Sequence, residues 1–136
     1  MNKEVWLSPM EAVTDLAFRK LCINHGADMT FTEMIRADAI VRGNKVTLSL
    51  IDTHIPLKQG IQLLVSKPAV LQKALQKIDF INIIGVDLNF GCPSLDVIGK
   101  GKGHALLKRL TRMRDLLFTL KKYSPVPCGI KFRLSV

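Results

Sequence analysis

Residues 87–94 read Asp87-Leu88-Asn89-Phe90-Gly91-Cys92-Pro93-Ser94, and an apolar lead-in from Ile81 to Val86 runs straight into them. An apolar run that ends on an amide, a thiol and a proline is a buried strand stopping at a polar turn. Parallel α/β folds keep their active sites at such strand ends. The stretch by itself leaves three roles open for Cys92: acid or nucleophile, metal ligand, or small buried hydrophobe, of which packing is the commonest for a lone cysteine.

Outward from this stretch the same grammar repeats. Glu4 to Leu7 is a short strand stopped by Ser8-Pro9, and Met10 to Val13 form a loop. Thr14 or Asp15 caps a helix on which Phe18, Leu21, Cys22 and His25 share one face, closed by Gly26, and that pattern places Cys22 in the core. Ala27 to Glu33 reads as a second strand, followed by a polar turn around Arg36. Two short helical pieces, Ala37 to Arg42 and Val46 to Ile51, split at Gly43-Asn44. Leu57 to Val65 is a third strand, in which the amide of Gln62 must bond to backbone or face a ligand.

Pro68 suits the first turn of a helix carrying Leu71, Ala74, Leu75 and Ile78 at helical spacing. Ile83 to Phe90 is the fourth strand. Beyond the basic glycine run Gly99-Lys100-Gly101-Lys102-Gly103, read either as a flexible loop or as the turn into a helix, Thr111 caps a helix striped by Met113, Leu116, Leu117 and Leu120. Val126 to Leu134 is a fifth strand, with Lys131 and Arg133 on one face. Short apolar strands alternating with helices imply a parallel sheet under a helical cover. Steps of about 25 residues are the scale of βα units, so the fold class is α/β: a partial TIM barrel of about five units, one body spanning residues 1–136.

Composition bounds the function. Twenty Lys and Arg stand against eleven Asp and Glu, a formal charge of +9. Ten of the basic residues and one acid, Asp115, lie between Val97 and Val136. That imbalance suits nucleic acid or a phosphorylated cofactor as well as a plain solvated surface. Three cysteines without a CxxC pair argue against a disulfide framework and a thiolate metal site, and place the chain in a reducing cytoplasm. No secretory h-region is visible and no apolar run approaches membrane length, so no membrane partner is expected. The glycine run fits neither a dinucleotide fingerprint nor a P-loop, and hydrolase and metalloprotease motifs are missing. Polar groups at strand ends, Met10 with Glu11, Glu33, Gln62, Asn89 with Cys92, and Lys131 with Arg133, would in a barrel share one mouth.

Five blocks carry a family resemblance: LSPMEAVTDLAFRKL (7–21), GADMTFTEMI (26–35), GIQLLVSKP (60–68), VDLNFGCPSLDVIGKGKGHALLK (86–108) and GIKFR (129–133). Taken in order they resemble the tRNA-dihydrouridine synthases. The resemblance implies an FMN enzyme, reduced by NADPH or NADH, that reduces the C5–C6 bond of uridines in tRNA. On matching positions Cys92 would be the general acid. Pro9, Met10, Gln62 and Lys131 would bind the flavin, and Asn89 and Arg133 would lie on the substrate side. No metal is implied.

Departures from the family pattern are also visible. Ser8 and Ala12 stand at a usual Ala and Gly, Val65 at a usual Gly, and Lys102 and His104 at small residues, which would crowd or recharge the substrate loop. The family's later flavin-contacting histidine, its phosphate-holding segments at strands seven and eight and its helical tRNA-binding domain have no counterpart in these residues. The chain is therefore expected to be the N-terminal part of such a barrel, completed by further sequence or by a second polypeptide. Two other readings stand beside it: a flavin dehydrogenase of free pyrimidines, and a non-catalytic basic module that binds RNA or completes a partner barrel.

Overall fold

The computed structural model describes residues 3–51 and 57–134. All site residues named above fall within them, while the expected unit 1–136 also takes in nine residues that lie outside. The sheet has five strands: β1 (Trp6–Leu7), β2 (Met29–Arg36), β3 (Gln59–Leu64), β4 (Ile83–Phe90) and β5 (Cys128–Phe132). They lie side by side in sequence order, every pair parallel. Between them come α1 (Leu16–Asn24), α2 (Ala37–Val41), α3 (Lys45–Ser49), α4 (Pro68–Leu75), α5 (Leu95–Gly99), a 3-10 turn (Gly103–Lys108) and α6 (Leu110–Tyr123). Sequential parallel strands that curl with helices on one side are the winding of a TIM barrel, here five units of it.

Two faces of the sheet divide the labour. Ile61, Leu63, Val65, Val86, Leu88 and Phe90 point to the helix side, where they pack with Leu71, Ala74, Leu75, Leu116 and Leu120 in one core. Alternate residues of the same strands, Gln62, Asp87 and Asn89, therefore face the concave side, because strand side chains alternate with period two. All three are buried. Burying about 25 cal/mol per Å² of apolar surface on the helix side holds the polar row in place on the other.

Local signals explain most boundaries. Asp15 caps α1, its Oδ1 accepting from the Phe18 amide at 2.8 Å, and Pro68 opens α4. Thr14 serves instead to tie down the loop before it: its hydroxyl accepts from the Met10 amide and donates to the Met10 carbonyl, each at 3.1 Å. β2 runs on to Arg36, so the expected polar turn at that residue is strand. The last helix has Arg109 at its N-cap position, two residues before Thr111, which lies inside the first turn and is not the cap. Leu95–Gly99 form a short helix, α5, between the Cys92 turn and the glycine run, where no element is expected from the sequence.

The expected inner face of α1 is corrected. Phe18, Leu21 and His25 are exposed and Cys22 is only half-buried, whereas Arg19 is buried. Its guanidinium donates to the Thr14 carbonyl at 2.7 Å and to Gln59 Oε1 at 3.4 Å. The helix lies against β2, β1 pairs with nothing on its far side among the described residues, and Phe18 and Leu21 are left exposed. Leu117 of α6 is similarly exposed beside the edge strand β5, together with Phe118 at 66% exposure.

Candidate active site

β4 delivers the residues and the turn after it shapes them. Asn89 Oδ1 accepts from two backbone amides at once, Gly91 at 3.1 Å and Cys92 at 2.9 Å. This folds the chain back on itself as an Asx-type turn. The Gly91 carbonyl accepts from Arg133 Nε at 2.7 Å, and the Cys92 carbonyl from the His104 amide at 3.1 Å. Cys92 is thus fixed by its backbone on both sides, and its side chain packs against Met34, Leu64 and Val97. Gly103 permits the close approach: its φ is +56°, and a Cβ there would lie 2.8 Å from the Cys92 carbonyl oxygen.

Beside this turn, at the carboxyl ends of the strands, lies a cavity of about 290 Å³. Its walls bring together all seven residues to which the resemblance gives a role: Pro9, Met10, Gln62, Asn89, Cys92, Lys131 and Arg133. Glu11, Met34, Gly91 and Phe132 complete it. Glu33 does not line it; its Oε1 accepts from the Ala12 amide at 2.5 Å and so supports the loop that carries Met10. Ala12 has φ +61°, a left-handed conformation in which a Cβ is strained. A second cavity of about 380 Å³ sits at the amino ends of the strands, among Trp6, Met29, Phe31 and Pro127. In parallel barrels that end serves stability rather than chemistry.

Polar contacts inside the site form a connected set. Lys131 Nζ donates to the Pro9 carbonyl at 2.7 Å. Gln62 Nε2 donates to Asp87 Oδ2 at 2.6 Å, and Asn89 Nδ2 donates to Gln62 Oε1 at 2.8 Å. Register makes this geometry: Gln62 stands opposite Asp87, and Asn89 opposite Lys131. Burial pushes the Asp87 carboxyl up to about 6, against the opposing pull of the Gln62 hydrogen bond and the Lys131 charge. Asp87 was not singled out from sequence, although its place two residues before Asn89 puts it on the same strand face.

The residues expected to crowd or recharge the substrate loop are turned elsewhere. Lys102 Nζ pairs with Asp38 Oδ1 at 2.7 Å. Burial works to raise the Asp38 carboxyl, but the bonds from Lys102 and Arg42 outweigh it and hold it below the usual range. Val65 packs in the helix-side core, and His104 is buried. None of the three lines the cavity. Among the described residues no cluster of His, Cys, Asp and Glu is placed to hold a metal ion, and no helix is long and apolar enough to cross a membrane.

A sequentially wound parallel half-barrel with a polar cavity at its carboxyl ends defines a chain of the TIM-barrel class. Comparison of sequences narrows the class. Residues 6–136 match the family model described as dihydrouridine synthase, and the chain belongs to that family. It is 33% identical over 128 residues to tRNA-dihydrouridine synthase B of Pseudomonas aeruginosa, an alignment covering 93% of this chain and 39% of the relative. With a probable tRNA-dihydrouridine synthase of Helicobacter pylori it shares 32% identity over 124 residues, 89% of this chain and 38% of that protein. With the tRNA-dihydrouridine(47) synthase [NAD(P)(+)] of Cryptococcus neoformans it shares 34% over 140 residues, 96% of this chain and 19% of that protein. The chain thus spans about two fifths of the bacterial relatives' length and about one fifth of the fungal one's.

Proposed function

We propose that this chain forms the substrate-facing part of an FMN-dependent tRNA-dihydrouridine synthase, an oxidoreductase that saturates the C5–C6 bond of uridine in tRNA at the expense of NADPH or NADH. The observation that carries the reading is the convergence of Pro9, Met10, Gln62, Asn89, Cys92, Lys131 and Arg133, drawn from four strand ends, on one cavity. The residues fit the ring of a flavin. Lys131 offers a fixed cation, Gln62 an amide, and Met10, 57% exposed, an apolar arm free to lie along a flat surface. No phosphate cradle borders the cavity among the described residues, so on this reading the phosphate is held by other segments.

Bound flavin would supply the hydride that C6 of the uracil receives. Cys92 gives the matching proton to C5, so hydride and proton together add H₂ across the double bond, and the thiolate left behind is reprotonated from solvent. Lys131 counters negative charge that gathers on the ring's polar edge, and its bond to the Pro9 carbonyl holds it there. Asn89 and Arg133 orient the uracil, which must leave its stack to reach the cavity. The exposed cations of α6, among them Arg112, Lys121 and Lys122, suit the phosphates of the RNA. Cytoplasmic residence accompanies such a substrate.

β5 supports the further reading that these units are the N-terminal part of a longer barrel, finished by another segment or a second polypeptide. The strand pairs only with β4 among the described residues, and Ile130 and Phe132 are exposed on it. An open edge of this kind is a template for another strand.

The test is spectroscopic and then chemical. Purified protein should carry or take up FMN at close to one per chain and form dihydrouridine in unmodified tRNA, with Cys92→Ala losing product while keeping flavin. Colourless protein that also leaves the fluorescence of added FMN unchanged would remove independent catalysis by this chain. Reduction of free uracil in preference to tRNA would point instead to a pyrimidine dehydrogenase.

A further inference from the structure

The polar row on the concave face runs in one direction. At one end stand the Gly91 and Cys92 amides, which can only donate, and they oblige Asn89 to present its oxygen to them. The nitrogen of Asn89 must then face Gln62, and Gln62 must meet it with its own oxygen. That leaves the Gln62 nitrogen facing Asp87, whose ionised carboxylate can only accept. Each link forces the orientation of the next: the backbone amides cannot reverse at all, and the carboxylate cannot while it is ionised. Neither amide can flip without setting two donors or two acceptors face to face inside the protein, at a cost of an unsatisfied buried group.

We propose that Asp87 is a positioning residue: as the terminal acceptor of this chain it fixes which way the side-chain amides of Gln62 and Asn89 point, and through Asn89 it steadies the turn that carries Cys92. Gln62 and Asn89 each retain a second amide hydrogen that no described residue takes up, and both side chains line the cavity. With Asp87 in place those amides bring N–H groups toward a ligand, beside the cations Lys131 and Arg133. The cavity is thereby set to receive a planar heterocycle by an edge of carbonyl and ring-nitrogen acceptors. Gly129 keeps room for the carboxylate, since a Cβ there would stand 3.3 Å from Asp87 Oδ1. The orientation holds in the protein without ligand; its bearing on a flavin rests on the function proposed above.

Side-chain amide hydrogen exchange, followed by NMR on the ligand-free chain, tests the role. Asp87→Asn can still accept from Gln62, whereas Asp87→Leu, of similar size, cannot. The side-chain hydrogens of Gln62 and Asn89 and the Cys92 backbone amide should exchange slowly in wild type and in Asp87→Asn. In Asp87→Leu they should exchange faster by about tenfold or more, the loss of one hydrogen bond to a charged acceptor. Unchanged exchange in Asp87→Leu, or equal loss in both variants, overturns the proposal. Should Asp87→Leu fail to fold, Gln62→Met cuts the row one link on and must speed exchange at Asn89 and Cys92; protection there equal to wild type overturns it as well. FMN titration of the same samples reads the other question separately. Wild type without flavin affinity but with this exchange pattern removes independent flavin binding by this chain and leaves the role of Asp87 supported.

Discussion

Lys131, on the last strand, reaches over the concave face and donates through Nζ to the carbonyl of Pro9, 2.7 Å away, at the end of the first. β1 and β5 are the two margins of the sheet and share no ladder bond, so this contact is a chord across the curl. It links residues 122 apart in sequence and sets the width of the cavity between them. Lys131→Met should lower stability by about 1–2 kcal/mol, the range for a hydrogen bond from a charged donor that is half-buried. It should also weaken FMN binding, while Lys131→Arg, longer and planar, restores stability better than affinity. Denaturant midpoints and flavin titrations on the three proteins check this.

The raised carboxyl of Asp87 makes stability depend on pH in a stated direction. Its folded value of about 6 lies above the ordinary 3.8, so ionisation is harder in the folded chain. The contribution is fully present below about pH 4 and is lost as pH rises through about 6. Asp87→Asn carries no such penalty. It should unfold at higher denaturant than wild type at pH 7.5, by at most about 3 kcal/mol at 1.36 kcal/mol per pH unit, and the two should converge near pH 4. A constant gap across that range would show that Asp87 does not titrate as described.

Ala12 holds a left-handed backbone, φ +61°. Ala12→Gly relieves the Cβ strain and should raise stability by about 1 kcal/mol. Glu33→Gln, which weakens the bond supporting the same loop, should lower it. Paired thermal melts at neutral pH measure both; a destabilised Ala12→Gly would mean that the loop does not keep this conformation.

Gly103→Ala brings a methyl group against the Cys92 carbonyl and adds strain at φ +56°. The cheapest relaxation moves the Cys92 turn, so dihydrouridine formation should fall at least about tenfold with flavin affinity nearly kept, since a misplacement of about 1 Å can cost far more in rate than in binding. Equal losses in both would place the damage in the fold rather than at the thiol.

Much of this was legible in the chain because strand and site are written in the same residues. The apolar run into Asn89 and Cys92 gave both the fourth strand and the turn, and the strand-end positions of Gln62 and Lys131 gave the barrel mouth they share. What local pattern hid was the dependence on neighbours. The stripe Phe18, Leu21 and Cys22 reads as a core face, but which flank of a helix is buried depends on whether a sheet lies beside it. Asp87 was overlooked because an acidic residue in an apolar strand announces no partner; only register sets Gln62 opposite it. Lys102 and His104, conspicuous in sequence, are occupied by Asp38 and by burial, facts carried by residues far along the chain.

β5 carries Ile130, Lys131 and Phe132 with Arg133 just beyond its end, and its margin, unpaired among the described residues, is the place where a second copy could pair and begin to aggregate. Charged side chains on an edge strand are a common protection against that fate. The two cations assigned to ligand recognition would thus also keep a half-closed barrel from stacking on itself. Replacing both with neutral residues to probe chemistry would leave an edge free to associate, so losses of activity in such variants have to be read beside their state of assembly.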